Sequence, residues 1–249
     1  MSVGINQYDV AAFRARGVRL ANARGVNERA VAEHALALIL ALTRKLHTGR
    51  DRQTQHRWRP MIGDSAIREE EIGGKTLLIV GLGTIGRRLA HLAKAFDMHV
   101  IATRRDAAAG KGPADEVFGQ DRLPEVLPRA DIVALTCPLT PETDKLIGTQ
   151  ALQRMKPTAY LVNVARGRVV DEPALIAALA DNRIAGAALD CVWQEPLPAD
   201  SPLWSFENVL ITPHTAGETR LYEERVIDVL VENLERLWRG ETHLQNEIV

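Results

Sequence analysis

Three polar residues each follow an apolar run: Arg166 in "NVARG", Glu195 in "LDCVWQEP" and His214 in "ITPH". A cation, an acid and an imidazole together can clamp a carboxylate, polarise a carbonyl and move a proton. Singly, each has an ordinary reading as a surface or structural residue. A second set is made of glycines. Gly81, Gly83 and Gly86 form G-x-G-x-x-G inside "VGLGTIG". The run follows an expected strand and opens an expected helix, the context in which the pattern cradles a pyrophosphate. Gly81 permits the tight turn, Gly83 lets the backbone approach phosphate, and Gly86 allows close helix–strand packing. The helix N-terminus adds unpaired N–H groups and a partial positive charge. The bland alternative is a glycine-rich turn that binds nothing.

At the end of the next expected strand stands "IATRRD". An acid at this position bonds the ribose hydroxyls of NAD and would repel a 2′-phosphate. Thr103, Arg104 and Arg105 stand there instead. A guanidinium fork binds phosphate bidentately and stacks on adenine. The expectation is NADP(H) in preference to NAD(H), set against a solvated pair of arginines that binds nothing.

These residues need a scaffold. Apolar runs at 75–80, 99–103, 131–137, 159–164, 184–190 and 208–212 read as strands, with helical patterns between them. Ile85, Leu89, Leu92, Ala93 and Phe96 mark one face of the helix after the first run. Asp171 and Pro173 start another helix at 171–182. Runs without strict alternation imply a parallel sheet covered on both faces, a doubly wound α/β domain of Rossmann type. Ligands of such sheets bind beyond the carboxyl ends of the strands, where all the candidate residues fall. A long helix is expected over 218–239, with Ile227, Leu230, Leu234, Leu237 and Trp238 as its apolar stripe and Gly240 as its stop. Upstream, a short helix at 10–16, a strand at 18–21 and a buried helix at 30–42 are expected. Residues 106–116 read as a surface loop.

The chain has 249 residues, 46% hydrophobic and 25% charged, with a net charge of −1. These values fit a soluble globular protein and leave no electrostatic footprint for nucleic acid. The run at 30–42 is too short and too polar to span a bilayer, so no membrane partner is expected. Cys137 and Cys191 stand alone, which fits a reducing, cytoplasmic location. No His/Cys/Asp spacing suggests a metal. His34, His47, His56, His91, His99 and His243 read as ordinary helix or strand histidines.

The stretches "AVAEHALALILALTR", "VGLGTIG", "CPLTPET", "NVARGRVVD", "LDCVWQEPLP" and "NVLITPHTAG" follow in order over nearly the whole chain. In them the chain resembles the D-isomer-specific 2-hydroxyacid dehydrogenases, of glyoxylate/hydroxypyruvate reductase type. The resemblance implies a catalytic set of Arg166, Glu195 and His214. Arg166 would hold the substrate carboxylate and polarise the 2-keto oxygen, and His214 would exchange a proton with it. A neighbouring carboxylate, Glu195, favours the acid form of the imidazole. The resemblance also implies cofactor contacts at Thr84, Ile85, Thr103, Cys137, Pro138, Thr143, Val164 and Ala165, with Asp190 on the nicotinamide amide and Gly217 near the ring. It implies substrate contacts from Val3 and Gly4 and a homodimer, with the apolar helix at 30–42 and Trp58 as anchors. The alternative from another class is a dinucleotide-sensing interaction protein without turnover, as related corepressors are.

Members of this family carry a flavodoxin-like substrate domain, built mostly from residues before a stretch like "SVGINQYD", which begins here at Ser2. The expectation is therefore a remnant of that domain over 1–26, a dinucleotide-binding domain over 27–217, and a helix and tail over 218–249 that return to the substrate domain. On this reading the native chain extends upstream and the 249-residue form turns over poorly.

Overall fold

A computed structural model describes Gly4 and residues 8–249. Val3, expected at the substrate, lies outside the described residues. The chain divides into two compact units, Val31–Ala216 and a second made of Met1–Ala30 with Gly217–Val249.

The larger unit is built on seven parallel strands: β1 (Thr76–Val80), β2 (His99–Arg104), β3 (Glu116–Gly119), β4 (Ile132–Leu135), β5 (Tyr160–Asn163), β6 (Gly186–Leu189) and β7 (Val209–Ile211). Their order is β3-β2-β1-β4-β5-β6-β7. The chain leaves β1 toward β2 and β3, then crosses back to β4, so the order reverses between β1 and β4. That switch point opens a crevice at the carboxyl ends.

The helices are α1 (Val10–Ala15), α2 (Glu28–Thr43), α3 (Leu46–Thr54), α4 (Thr84–Lys94), α5 (Leu123–Val126), α6 (Thr149–Arg154), α7 (Glu172–Ala180) and α8 (Tyr222–Trp238). Alternation along the strands divides the core. Leu77 and Ile79 pack with Ile39 of α2 and Leu89 of α4. Leu78 and Val80 pack with Val126 of α5, Leu152 of α6 and Leu175 of α7. Strands buried on both faces explain the unbroken apolar runs. Among the described residues no helix is long and apolar enough to cross a membrane.

Several expectations need correction. Residues 106–116 are not only a loop: β3 begins at Glu116. It is a half-buried edge strand of four residues, too short for a period to show. α3 has no buried residue, so no apolar stripe announced it. Phe96 lies past the end of α4 and is exposed rather than on its packed face. α2 buries Val31, Ala35, Leu38, Ile39 and Leu42 in its own core, so its apolar faces are not spare surface for a second subunit.

In the smaller unit the expected strand at 18–21 is reduced to a single antiparallel bridge, Ala21 to Glu247. Leu20 N–H donates to the Val249 carbonyl at 3.0 Å, and Arg19 Nε reaches Glu247 Oε1 at 2.6 Å. α8 starts at Tyr222, not 218. Thr219 caps the preceding turn, its Oγ1 accepting the Leu221 N–H at 3.3 Å. The expected stripe of α8, Ile227, Leu230, Leu234, Leu237 and Trp238, is exposed. Gly240, at φ 74°, follows the last turn as expected.

Candidate active site

The glycine cradle follows from backbone shape. Gly81 has φ 103°, and a Cβ there would stand 2.7 Å from the Cys137 backbone. β1 and β4 are therefore in close contact at the switch point. A Cβ on Gly86 would meet the Gly81 carbonyl at 2.4 Å, so α4 starts hard against the strand it follows. Gly83 precedes α4 with open space around it and no side-chain cap. Thr84 is exposed and Ile85 half-buried at the first helical positions. This arrangement fits a dinucleotide: uncapped N–H groups, the positive end of a helix, and room at Gly83 for phosphate oxygens.

Around the cradle, Thr103 is buried and serves through its carbonyl, which accepts from the N–H groups of Gly81 and Leu82. Its hydroxyl turns inward, 3.3 Å from Gln120 Oε1. Arg104 Nη1 donates to the carbonyls of Ala109 and Gly110, which hold the guanidinium beside the end of β2. Arg105 is exposed next to it. After β4, Cys137 is buried and its thiol is pushed up to about 11 by that burial. Thr143 Oγ1 donates to the Pro138 carbonyl at 2.7 Å and accepts the Thr140 N–H at 2.7 Å, closing that loop.

The catalytic candidates sit on the loops after β5, β6 and β7. His214 Nδ1 lies 2.7 Å from Glu195 Oε2. The other carboxylate oxygen of Glu195 accepts the Val192 N–H at 3.1 Å, which fixes the acid. Arg166 follows β5 in extended conformation, with Nη1 donating to the Ala165 carbonyl at 2.6 Å. The next residue has no spare volume: a Cβ on Gly167 would stand 1.9 Å from the Val192 carbonyl oxygen. The loop bearing Arg166 is therefore pressed directly on the loop bearing Glu195. Val164 and Ala165 are buried beneath it.

Two buried polar residues brace these loops. Asn163, 1% exposed, accepts the Ala165 N–H at 3.0 Å and donates to the Arg166 carbonyl at 3.0 Å. Asp190, 2% exposed, accepts from Thr212 Oγ1 at 2.6 Å, the Thr215 N–H at 3.0 Å and the Ala216 N–H at 3.1 Å. These bonds enclose His214, whose φ of 55° is a strained, left-handed backbone for a residue with a side chain. The imidazole is thus set by the backbone that Asp190 holds.

His34 corrects the reading of it as an ordinary helix histidine. From α2 its Nε2 stands 3.0 Å from Thr212 Oγ1 and 3.5 Å from Asp190 Oδ1. Neither role was read from the sequence: Asn163 bonds within its own turn at the end of a strand, and the partners of His34 lie at the ends of other strands. Gly217 belongs to the smaller unit, where a Cβ would meet Asn27 Nδ2 at 2.7 Å. Gly4 is half-buried. Spacing along the chain pointed to no metal. The fold nevertheless brings ligand atoms of Cys191, Glu195 and His214 within 4.8 Å of one another.

Comparison with known proteins agrees with this architecture. Residues 36–216 match the NAD binding domain of the D-isomer specific 2-hydroxyacid dehydrogenases. The glyoxylate reductase of Korarchaeum cryptofilum is 37% identical, over 96% of this chain and 72% of its own. Glyoxylate/hydroxypyruvate reductase B of Yersinia pestis is 38% identical, over 94% of this chain and 72% of its own. A crystal structure of a D-isomer specific 2-hydroxyacid dehydrogenase from Xanthobacter autotrophicus, in complex with NADPH and MES, superposes with a TM-score of 0.79. It is 31% identical, over 93% of this chain and 92% of its own. The chain belongs to the D-isomer specific 2-hydroxyacid dehydrogenase family and is an NAD(P)-dependent 2-hydroxyacid oxidoreductase.

Proposed function

We propose that the chain reduces a small 2-keto acid, of glyoxylate or hydroxypyruvate size, to the D-2-hydroxy acid with NADPH. The observation that carries this reading is the Glu195–His214 pair, 2.7 Å apart and beside the Arg166 loop at the carboxyl ends of β5 to β7. The glyoxylate reductase relatives support the substrate class.

The bound nicotinamide would supply the hydride. The chain's own groups do the rest. Arg166 pairs with the substrate carboxylate and polarises the keto oxygen. His214 donates through Nδ1 to Glu195, which leaves Nε2 to give a proton to that oxygen, or to take one in the reverse direction. Glu195 holds the imidazole in the tautomer and orientation that present Nε2 to the substrate. Residues 81–86 would hold the pyrophosphate, Asp190 the carboxamide, and Arg104 with Arg105 the 2′-phosphate.

The test is direct. NADPH oxidation with glyoxylate and hydroxypyruvate should be measurable, and NADPH should bind more tightly than NADH. Replacing the pair by R104D/R105S should reverse the order, by about tenfold or more. Equal affinities in the parent chain would remove the basis for the cofactor assignment. Absence of turnover with any 2-keto acid, despite tight dinucleotide binding, would favour a sensing role.

A homodimer through the larger unit is also proposed. Trp58 and Met61 are 97% and 88% exposed, more apolar surface than a segment of one subunit ordinarily leaves in water. A single monomeric species in sedimentation at micromolar concentration would refute it.

A further inference from the structure

We propose that Cys191, Glu195 and His214 form a binding site for a thiophilic divalent cation such as Zn²⁺, and that filling it switches the enzyme off. The switching rests on the catalytic role proposed above for His214, whereas the binding does not. One ligand atom from each of the three residues lies within 4.8 Å of the other two. A tetrahedral zinc site spans ligand–ligand edges of roughly 3.2–3.8 Å, as its bond lengths require. Reaching those edges takes movements of about 1 Å, opening the 2.7 Å Nδ1–Oε2 pair and bringing it toward the sulfur, and these fall on the two exposed side chains. Glu195 and His214 are 39% and 42% exposed, while Cys191 is a buried, fixed anchor.

The donor set decides the metal. One sulfur, one imidazole nitrogen and one carboxylate oxygen suit Zn²⁺, Co²⁺ or Cd²⁺ and disfavour the oxygen-seeking Mg²⁺ and Ca²⁺. Three protein ligands leave a fourth position for water on the open side of His214, the arrangement of an accessible rather than a sealed site. Burial pushes the Cys191 thiol well above its ordinary range, with Asp190 and Glu195 adding to the effect and Arg166 opposing it. That shift opposes binding, so the cation has to displace the thiol proton to solvent against it; the cation also takes the place of the Nδ1 proton between His214 and Glu195, which passes to Nε2 of the neutral imidazole.

The consequence for catalysis follows from that exchange. With the metal on Nδ1, the imidazole carries its proton only on Nε2 and cannot release it near neutral pH without becoming an imidazolate. Glu195, bound to the cation, no longer accepts from Nδ1 and so no longer orients the imidazole. Both functions of the pair are lost together, and chelation restores them.

Co²⁺ is the probe. Titrated into chelator-washed protein, it should produce the near-ultraviolet charge-transfer band of a thiolate–cobalt bond, displaced by Zn²⁺. The band should survive Cys137→Ala and disappear in Cys191→Val. Cys191→Ser, which keeps the volume, serves if the valine variant fails to fold. Zn²⁺ should inhibit NADPH-dependent reduction reversibly, and Cys191→Val should raise the inhibitory concentration by about tenfold or more. No band in the parent protein, or a band that persists without Cys191, overturns the site. A band with unimpaired turnover overturns the switch. Should the parent protein show no turnover at all, the catalytic reading fails while the cobalt titration still judges the site.

Discussion

At the amino ends of the strands, acids and bases are paired off. Asp131 accepts the Thr76 N–H at 2.8 Å and Lys156 Nζ at 2.7 Å. Asp115 accepts the Val100 N–H and Lys94 Nζ, each at 2.8 Å. Glu116 takes Arg129 and His99. At the carboxyl ends the same residue types are arranged otherwise. Glu195 is bound on one oxygen by its own loop and on the other by His214, and the far nitrogen of His214 has no protein partner among the described hydrogen bonds. One end of the sheet uses charge to fasten strand starts together. The other holds charge in place by backbone and buried amides, and keeps a reactive edge available. Loss of a group should therefore cost stability at one end and activity at the other.

The sharpest way to break that comparison is at His214. His214→Ala should lower turnover by about 10²–10⁴-fold, the usual contribution of a positioned acid–base group. The melting temperature should change little, because the side chain is part-exposed and no core contact is removed, while alanine keeps the Cβ that the left-handed backbone already carries. A large stability loss with modest loss of turnover would mean that this edge is structural after all. Gly167→Ala comes next and should affect both quantities. Its methyl would meet the Val192 carbonyl at 1.9 Å, so the two catalytic loops must separate. A displacement of about 1 Å costs on the order of 10²-fold in rate, and the overpacking about 1–3 kcal/mol of stability. Unchanged kinetics in a folded Gly167→Ala variant would show that contact between these loops does not position Arg166.

The same contrast explains what the sequence could tell. The cradle was legible because its information is local: three glycines, a strand before them and a helix after. β1, β2 and β4 to β6 were legible because their faces are buried, which leaves unbroken apolar runs, and the half-buried edge strand β7 was legible because its three residues, Val209, Leu210 and Ile211, are all apolar. β3 was not, since a half-buried edge strand of four residues carries no such run. At the catalytic edge, Arg166, Glu195 and His214 could be named from their places after strands. The bracing roles of the residues that hold them could not, although Asp190 was named as a cofactor contact. Asn163 acts on its own turn, but it looked like the last residue of a strand. Asp190 and His34 meet through Thr212, and their separation along the chain left no pattern. Cys191 was read as a lone thiol because only Glu195 shares its loop, while His214 arrives after the next strand. The exposed stripe of α8 shows the converse limit: helical periodicity reports an apolar face, not what covers it.

The smallest expected effect tests the amino ends. Burial alone would raise the Asp131 carboxyl, but the Lys156 ammonium and the Thr76 N–H outweigh it and hold the group below its ordinary range. A carboxylate depressed on folding stabilises the native state above its unfolded value of about 3.9. That contribution disappears as pH falls through the lower folded value, because both states then bind the proton. Asp131→Asn should accordingly lower stability at neutral pH by about 1 kcal/mol, the low end for a hydrogen bond to charge, since the pair is partly open to solvent. Turnover should stay within about twofold, as Asp131 precedes β4 at the end of the sheet remote from the catalytic loops. Urea unfolding of parent and variant at neutral pH and near about pH 3 checks the sign: the gap should narrow in acid. A gap that stays constant with pH would assign the loss to packing or geometry rather than to the ionised pair, and the division of labour between the two ends of the sheet would then lose its electrostatic half.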